Sequence, residues 1–335
     1  MHRGASTRWW QRSSLALACL VLASALPVIL PGGQHLAPPT VLALTGQGGP
    51  ATNGKPIALS PVALPAPPGL EIPQGTGIWS LIYWSRGLRC QAYLAVPPGH
   101  GPFPLLLDLH GGFPLGLPYH DAQVFSSAVE AASDLSLGGV AFLPNYAGYG
   151  PSQGPVGDTK DDVVDTLNGL RALRHIRGLP LRADATYLLG SSLGGGIALM
   201  VAERDQAARA AVLISSWPGA IVAWDWLSAA FPHLSQDDLT EYAALVGAHG
   251  DDVDSAWYRA NSPNFTRIEI PILLIGGTSD PIVAPGMLRT LYGALKRQDH
   301  AVSLRFFPGG HGPRSSKVTM SVLDFFAAHG LPARY

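Results

Sequence analysis

The sequence predicts an α/β fold: a mostly parallel central sheet with helices on both faces and a small helical cap insertion. Two patterns carry this reading. From Ile78 onward, short β-prone apolar runs alternate with amphipathic helical stretches, the order that builds a parallel sheet. Several runs, such as LLLDLH ending at His110 and PILLIGG ending at Gly277, are apolar almost without interruption, as central strands covered on both faces are. Hydrophobic residues make up 47% of the 335 and charged residues 13%, so a large core is easily filled.

Taken in order, the chain opens with an address. Arg3, Arg8 and Arg12 form a basic segment, Leu15 to Leu22 is uninterruptedly apolar, and Ala23-Ser24-Ala25 supplies small residues in the spacing a signal peptidase reads. Residues 1–25 are therefore expected to be a signal peptide and the protein to be secreted or extracytoplasmic. If the signal stays uncleaved, the stretch to Leu30 is marginally long for a membrane tether, and Pro27 interrupts it. Ala16 in place of leucine three residues before Cys19 speaks against lipidation there. Residues 26–73, rich in Pro and Gly and almost uncharged, are expected to be a linker. The folded domain is expected over 74–335.

Strands are expected at Ile78–Trp84, Gln91–Val96, Leu105–Leu109, Val140–Pro144, Thr186–Leu189, Ala211–Ile214, Ile272–Ile275 and Ser303–Phe307. Helical patterns fall at Asp161–His175, Gly195–Arg204, Pro285–Lys296 and Lys317–His329. The first strands look like a meander. The aromatic, helix-like stretch 217–264 breaks the later alternation and is expected to be the cap.

Composition excludes several classes of function. A net charge of −1 gives no electrostatic reason for nucleic acid or an anionic membrane as partner. Two cysteines, Cys19 and Cys90, cannot build a disulfide framework or a zinc cluster, and the eleven histidines show no metal-ligand spacing. No metal and no cofactor are expected. The partner is expected to be a small peptide or ester substrate.

The chemistry starts at Gly190-Ser191-Ser192-Leu193-Gly194. A serine hydroxyl becomes a nucleophile when a positioned base takes its proton, and a GxSxG elbow presents it on a sharp strand-to-helix turn. Chance alone gives about one such pentapeptide in three chains this rich in glycine, and a second stands at Gly150-Pro151-Ser152-Gln153-Gly154. Context separates them. Ser192 follows the apolar run TYLL and precedes a helical one, whereas Ser152 runs on into QGPVG. The acid and base should follow in the order serine, acid, histidine. Asp280 lies just past the strand ending in GG, and His311 just past the next strand, so both fall at the sheet edge where ligands bind. His110-Gly111-Gly112-Phe113, after the strand Leu105–Leu109, should offer a backbone N–H to the oxyanion. Gly112 and Leu193 are the expected donors, with His110 bracing the loop. The reading is thus an α/β-hydrolase fold with Ser192, Asp280 and His311 as the triad.

Together these residues resemble the catalytic domain of the prolyl oligopeptidase family, which includes acylaminoacyl peptidases and dipeptidyl peptidases. The resemblance runs from about Ile78 to the C-terminus through HGGF at 110–113, PNYAGYG at 144–150, DDVVDTLNGL at 161–170, GSSLGG at 190–195, YRANSP at 258–263, GGTSDPIV at 276–283 and PGGHG at 308–312. It implies a serine-type hydrolase that passes through an acyl-enzyme. Two departures bear on substrate. The family's NYRGS-type loop lacks its arginine here, with Ala147 in its place, and a linker-like segment stands where the family has its propeller. Phe113, Tyr146 and Trp217 are candidate substrate-binding residues. A carboxylesterase for small or carbohydrate esters, and a binding protein that kept the fold without catalysis, are the rival readings.

Overall fold

The apolar runs pair into a nine-stranded sheet, because backbone groups placed inside an apolar core must find partners in a ladder. The computed structural model describes residues 42–44, 52–63, 72–112, 126–231, 233, 245 and 247–331. The expected signal peptide at 1–25, Cys19 and Phe113 lie outside the described residues, as do parts of the expected linker and cap. Strands are numbered β1 (Ala43–Leu44), β2 (Pro56–Pro61), β3 (Gly77–Ser85), β4 (Leu88–Val96), β5 (Phe103–Leu109), β6 (Val140–Asn145), β7 (Ile176–Arg177), β8 (Leu181–Ser191), β9 (Ala208–Ile214), β10 (Ile272–Gly277) and β11 (Val302–Phe307). The order across the large sheet is β11-β10-β9-β8-β5-β6-β4-β3-β2, while β1 pairs with β7 in a separate two-stranded ribbon. From β11 to β6 every pairing is parallel, and β4, β3 and β2 complete the sheet as an antiparallel meander.

Seven helices are named here: α1 (Ala128–Asp134), α2 (Thr159–Leu173), α3 (Leu193–Ala202), α4 (Ala220–Ala230), α5 (Ala256–Ala260), α6 (Pro285–Lys296) and α7 (Ser316–Ala328). Alternation along the strands sends side chains to opposite faces. Leu105, Leu107 and Leu109 of β5, with Leu188 of β8, join a core containing residues of α2, α3, α4 and α6. Leu106, Tyr187 and Leu189 face the other way, against Val318, Val322 and Phe326 of α7. A third cluster packs α1 on Ile78, Ala95, Ala141 and Leu143. Helix α2 begins two residues before the expected Asp161, immediately after Asp158 in extended conformation.

The sheet also begins earlier than the composition suggests. Pro56–Pro61, inside the stretch expected to be linker, is its edge strand and pairs antiparallel with β3 from Pro56 opposite Tyr83 to Pro61 opposite Trp79. Proline lacks the N–H for a central ladder but is tolerated at an edge, where one side of the strand needs no partner. The boundary drawn at residue 73 is therefore corrected. Helices α4 and α5 lie in the expected cap region.

Candidate active site

Parallel pairing brings the C-terminal ends of β5, β8, β9, β10 and β11 to one edge, and the loops leaving them carry the expected groups. Ser192 stands between β8 and α3 with φ 54° and ψ −122°, a combination seldom adopted by residues other than glycine. Its N–H donates to the Ile214 carbonyl at 2.9 Å, and its carbonyl accepts from Gly195 N at 3.0 Å and Trp217 N at 2.8 Å. The flanking glycines are required by space. A Cβ on Gly190 would meet the Gly194 carbonyl, and one on Gly194 would meet the Leu109 carbonyl.

Asp280 and His311 come together directly. The imidazole Nδ1 lies 3.0 Å from each carboxylate oxygen of Asp280, and both side chains are buried. The N–H groups of Ile282 and Val283 donate to Asp280 Oδ1 at 2.9 and 3.0 Å. Burial pushes the Asp280 carboxyl up, but the hydrogen bond and charge of His311, with the Ser215 hydroxyl and the Ile282 N–H, outweigh it and hold the group below the ordinary carboxylate value. Ser215 is a site residue that the motif reading missed. It follows β9 with a positive φ of 46°, its hydroxyl is one of the groups that lower the Asp280 carboxyl, and its Oγ accepts the Gly312 N–H at 3.0 Å. It therefore braces the histidine loop beside the carboxylate. Its position at a strand end on the ligand edge was the available signal.

The glycines after β5 close the other side. A Cβ on Gly111 would lie 3.1 Å from Ser192 Cβ, and one on Gly112 would strike the Tyr149 hydroxyl and come within 2.9 Å of Leu193 Cδ2. Both expected oxyanion donors thus border the elbow. Leu193 is the first residue of α3, where an N–H has no acceptor within the helix. His110 braces this loop: its Nδ1 donates to the Gly111 carbonyl at 2.6 Å, and its Nε2 is buried with no partner among the described residues. Burial holds the imidazole down to about 4 despite the Gly111 bond, so it is neutral near pH 7 and its one N–H is committed to that carbonyl.

Two expected substrate contacts are corrected. Tyr146 is 0% exposed, stacked on His110 with ring centres 4.2 Å apart, and its hydroxyl donates to the His110 carbonyl at 3.2 Å. Trp217 is 3% exposed and packs against Gly196 of α3. Each ring fills space behind the site and presents no face to a ligand. The second GxSxG serine is also internal: Ser152 accepts the Gln91 N–H at 2.9 Å and donates to the Asn145 carbonyl at 2.7 Å. Among the described residues, no group of three or more His, Cys, Asp or Glu could hold a metal ion.

Comparison with known proteins agrees with this architecture. A sequence profile described as the prolyl oligopeptidase family matches residues 157–330, just over half of the chain. The uncharacterized peptidase YtmA of Bacillus subtilis (strain 168) is 23% identical over 214 residues, 63% of this chain and 76% of that protein. An acylaminoacyl peptidase of Pyrococcus horikoshii superposes with a TM-score of 0.59 at 18% identity, covering 76% of this chain but 42% of that one. This chain therefore spans about two fifths of that peptidase's length. An acetyl xylan esterase from Paenibacillus sp. R4 superposes with a TM-score of 0.58 at 18% identity, covering 83% of this chain and 90% of that one. At these identities the two superpositions speak to the fold: an α/β-hydrolase sheet with its helices.

Proposed function

The chain belongs to the prolyl oligopeptidase family and is a serine hydrolase, and from that premise we propose an exported enzyme that cleaves a peptide or amide acyl bond through an acyl-enzyme on Ser192. The observation that carries the mechanism is the pairing of His311 Nδ1 with Asp280 at 3.0 Å, at the same edge of the sheet as the strained elbow at Ser192. With Nδ1–H committed to an ionised carboxylate, the other imidazole nitrogen, Nε2, is left as the base.

In the first half-reaction Ser192 Oγ attacks the carbonyl carbon as its proton passes to His311 Nε2. The electron pair displaced onto the carbonyl oxygen is met by the N–H groups of Gly112 and Leu193. The tetrahedral adduct collapses, the bond to the leaving group breaks, and His311 returns the proton to the departing amine or alcohol. Water then repeats the attack on the acyl-serine with His311 as base, releasing the carboxylic acid and restoring the Ser192 hydroxyl. Asp280 holds the tautomer throughout and stabilises the imidazolium.

A carboxylesterase acting on small or carbohydrate esters is the second reading. The acetyl xylan esterase likeness favours it, because it covers nearly the whole of that enzyme, whereas the peptidase likeness covers less than half of its counterpart. A panel of aminoacyl p-nitroanilides, p-nitrophenyl acetate and acetylated xylo-oligosaccharides separates the two. Amide turnover at a kcat/KM within about tenfold of the ester supports a peptidase, since amides are the harder bond and an enzyme built for esters does not close that gap. Ester turnover with no measurable amide cleavage overturns the peptidase assignment. Export is supported by the basic, apolar and small-residue order of residues 1–25.

A further inference from the structure

We propose that Arg86, at the turn between β3 and β4, is a positioning residue for the oxyanion loop, acting through Asp165, Ala147 and Tyr146. The inference rests on the assignment of the Gly112 N–H as an oxyanion donor.

The turn itself is the first observation. Arg86 and Gly87 both have positive φ, 51° and 76°, as a two-residue hairpin turn requires. Glycine and asparagine take the first of these positions at little cost, whereas arginine there is strained. What holds it is the side chain's destination. Arg86 Nε donates to Asp165 Oδ1 at 3.0 Å and a terminal nitrogen donates to Oδ2 at 2.9 Å, a two-pronged pairing, while the backbone N–H of Arg86 is fixed by Asn53 Oδ1 at 2.7 Å.

Asp165, on α2, is fully buried, so its charge needs a cation and a full set of donors. Two further donors complete the set: the Ser85 hydroxyl at 2.5 Å and the Ala147 N–H at 2.9 Å. Knitting the hairpin to the helix would need only the first of these. The Ala147 bond goes further, because it fixes the peptide that follows Tyr146.

From Tyr146 the contacts run to the chemistry without a gap. Its hydroxyl donates to the His110 carbonyl and its ring lies flat on the His110 imidazole, which is also flanked edge-on by Tyr149 at 5.1 Å. The imidazole, held in that plane, donates from Nδ1 to the Gly111 carbonyl at 2.6 Å. That carbonyl belongs to the same peptide group as the Gly112 N–H. A hydrogen bond accepted at one end of a peptide orients its plane and polarises the N–H at the other end. The guanidinium of Arg86 therefore sets the aim of a donor it never touches.

The test uses the full chain with p-nitrophenyl acetate, comparing wild type with Arg86→Ala, Arg86→Lys, Tyr146→Phe and the Arg86→Ala/Tyr146→Phe double variant. An oxyanion donor acts mainly in the transition state, so misaiming it should lower kcat by about tenfold to a hundredfold while KM stays within about twofold. Millimolar guanidinium should restore much of the lost kcat to Arg86→Ala and none to Tyr146→Phe. The double variant should be no slower than the slower single variant, because both cut one chain of contacts. A folded Arg86→Ala protein with wild-type kcat overturns the proposal, as does a Tyr146→Phe protein with wild-type kcat, or a double variant whose losses multiply. If Arg86→Ala does not fold, Arg86→Lys decides: it keeps the charge but cannot pair by two parallel bonds, and an undiminished kcat there overturns the proposal. A wild type that neither turns over the ester nor takes a fluorophosphonate on Ser192 fails one level lower, and overturns the active-site reading together with this one.

Discussion

A non-glycine backbone at φ 54° and ψ −122° costs of order 1–3 kcal/mol, and at Ser192 three backbone hydrogen bonds hold it there. Such strain persists where the surrounding structure over-determines the residue, and here it lifts a hydroxyl above the edge of the sheet. Ser152 shares the GxSxG pattern but spends its hydroxyl inside, bridging Gln91 and Asn145. The two alanine substitutions should therefore fail differently. Ser192→Ala removes the attacking atom and should lower turnover by about a millionfold, with little loss of stability. Ser152→Ala strands two buried partners and should cost about 1–3 kcal/mol of stability, while the folded enzyme keeps activity within about tenfold. Thermal melts with fluorophosphonate labelling read both quantities, and mass spectrometry locates the adduct. An adduct on Ser152 or Ser191 would overturn every role assigned around the elbow.

At the level of elements, the parallel strands were the most legible part of the sequence. Leu105–Leu109 and Ile272–Ile275 are buried on both faces, so each carries an apolar run that needs no partner to be recognised. The candidate triad was legible for a related reason: Ser192 and Asp280 stand just past buried runs and His311 just past the edge strand β11, each in a local pattern. What could not be read were features whose partners lie far away in sequence. Arg86 and Asp165 are 79 residues apart, and only the topology makes them neighbours. Ser215 and the Gly312 N–H it accepts are 97 residues apart. Strand β2 was hidden because its prolines and small residues look like linker, while its strand character comes from the neighbour β3. A deletion series tests that strand. Removing residues 1–51 should leave the sheet intact. Removing residues 1–69 takes away β2 and the bonds of Gly54 and Lys55 to Trp84, and leaves β3 as a bare edge. The longer deletion should melt about 5 °C or more below the shorter one, as a loss of a few kcal/mol does in a domain of this size. Equal melting temperatures would restore the boundary at residue 73.

Across the whole molecule, a net charge of −1 provides little general repulsion at pH 7, so the pH dependence of stability should be set by individual buried groups. Two of these act in opposite senses. Asp280 is held below the ordinary carboxylate value in the fold, so its contribution is complete above the unfolded value of about 3.9 and is lost as pH falls through the folded one. Asp108, on β5 beneath the oxyanion loop, is pushed up to about 6 by burial, even though a hydrogen bond from Asp134 and one from the Leu109 backbone favour its ionised form. Below about pH 4 Asp108 is protonated whether the chain is folded or not, and costs nothing. Between about pH 4 and 6 the unfolded chain releases a proton that the fold retains, so stability drains away across that window and stays lower above it. Asp134 is raised well above its ordinary value by its own burial and by the charge of Asp108, so neutralising Asp108 relieves both groups. The two acids thus have separable signatures in Asp108→Asn. Its melting temperature relative to wild type should climb from pH 4 to pH 8, by the equivalent of up to about 3 kcal/mol, whatever constant offset the amide introduces. The acid-side loss due to Asp280 should persist unchanged in the same variant. A difference between Asp108→Asn and wild type that is flat from pH 4 to pH 8 would mean that Asp108 is ionised in the fold at its ordinary value, and that the loop above it rests on a charge, not on a shared proton.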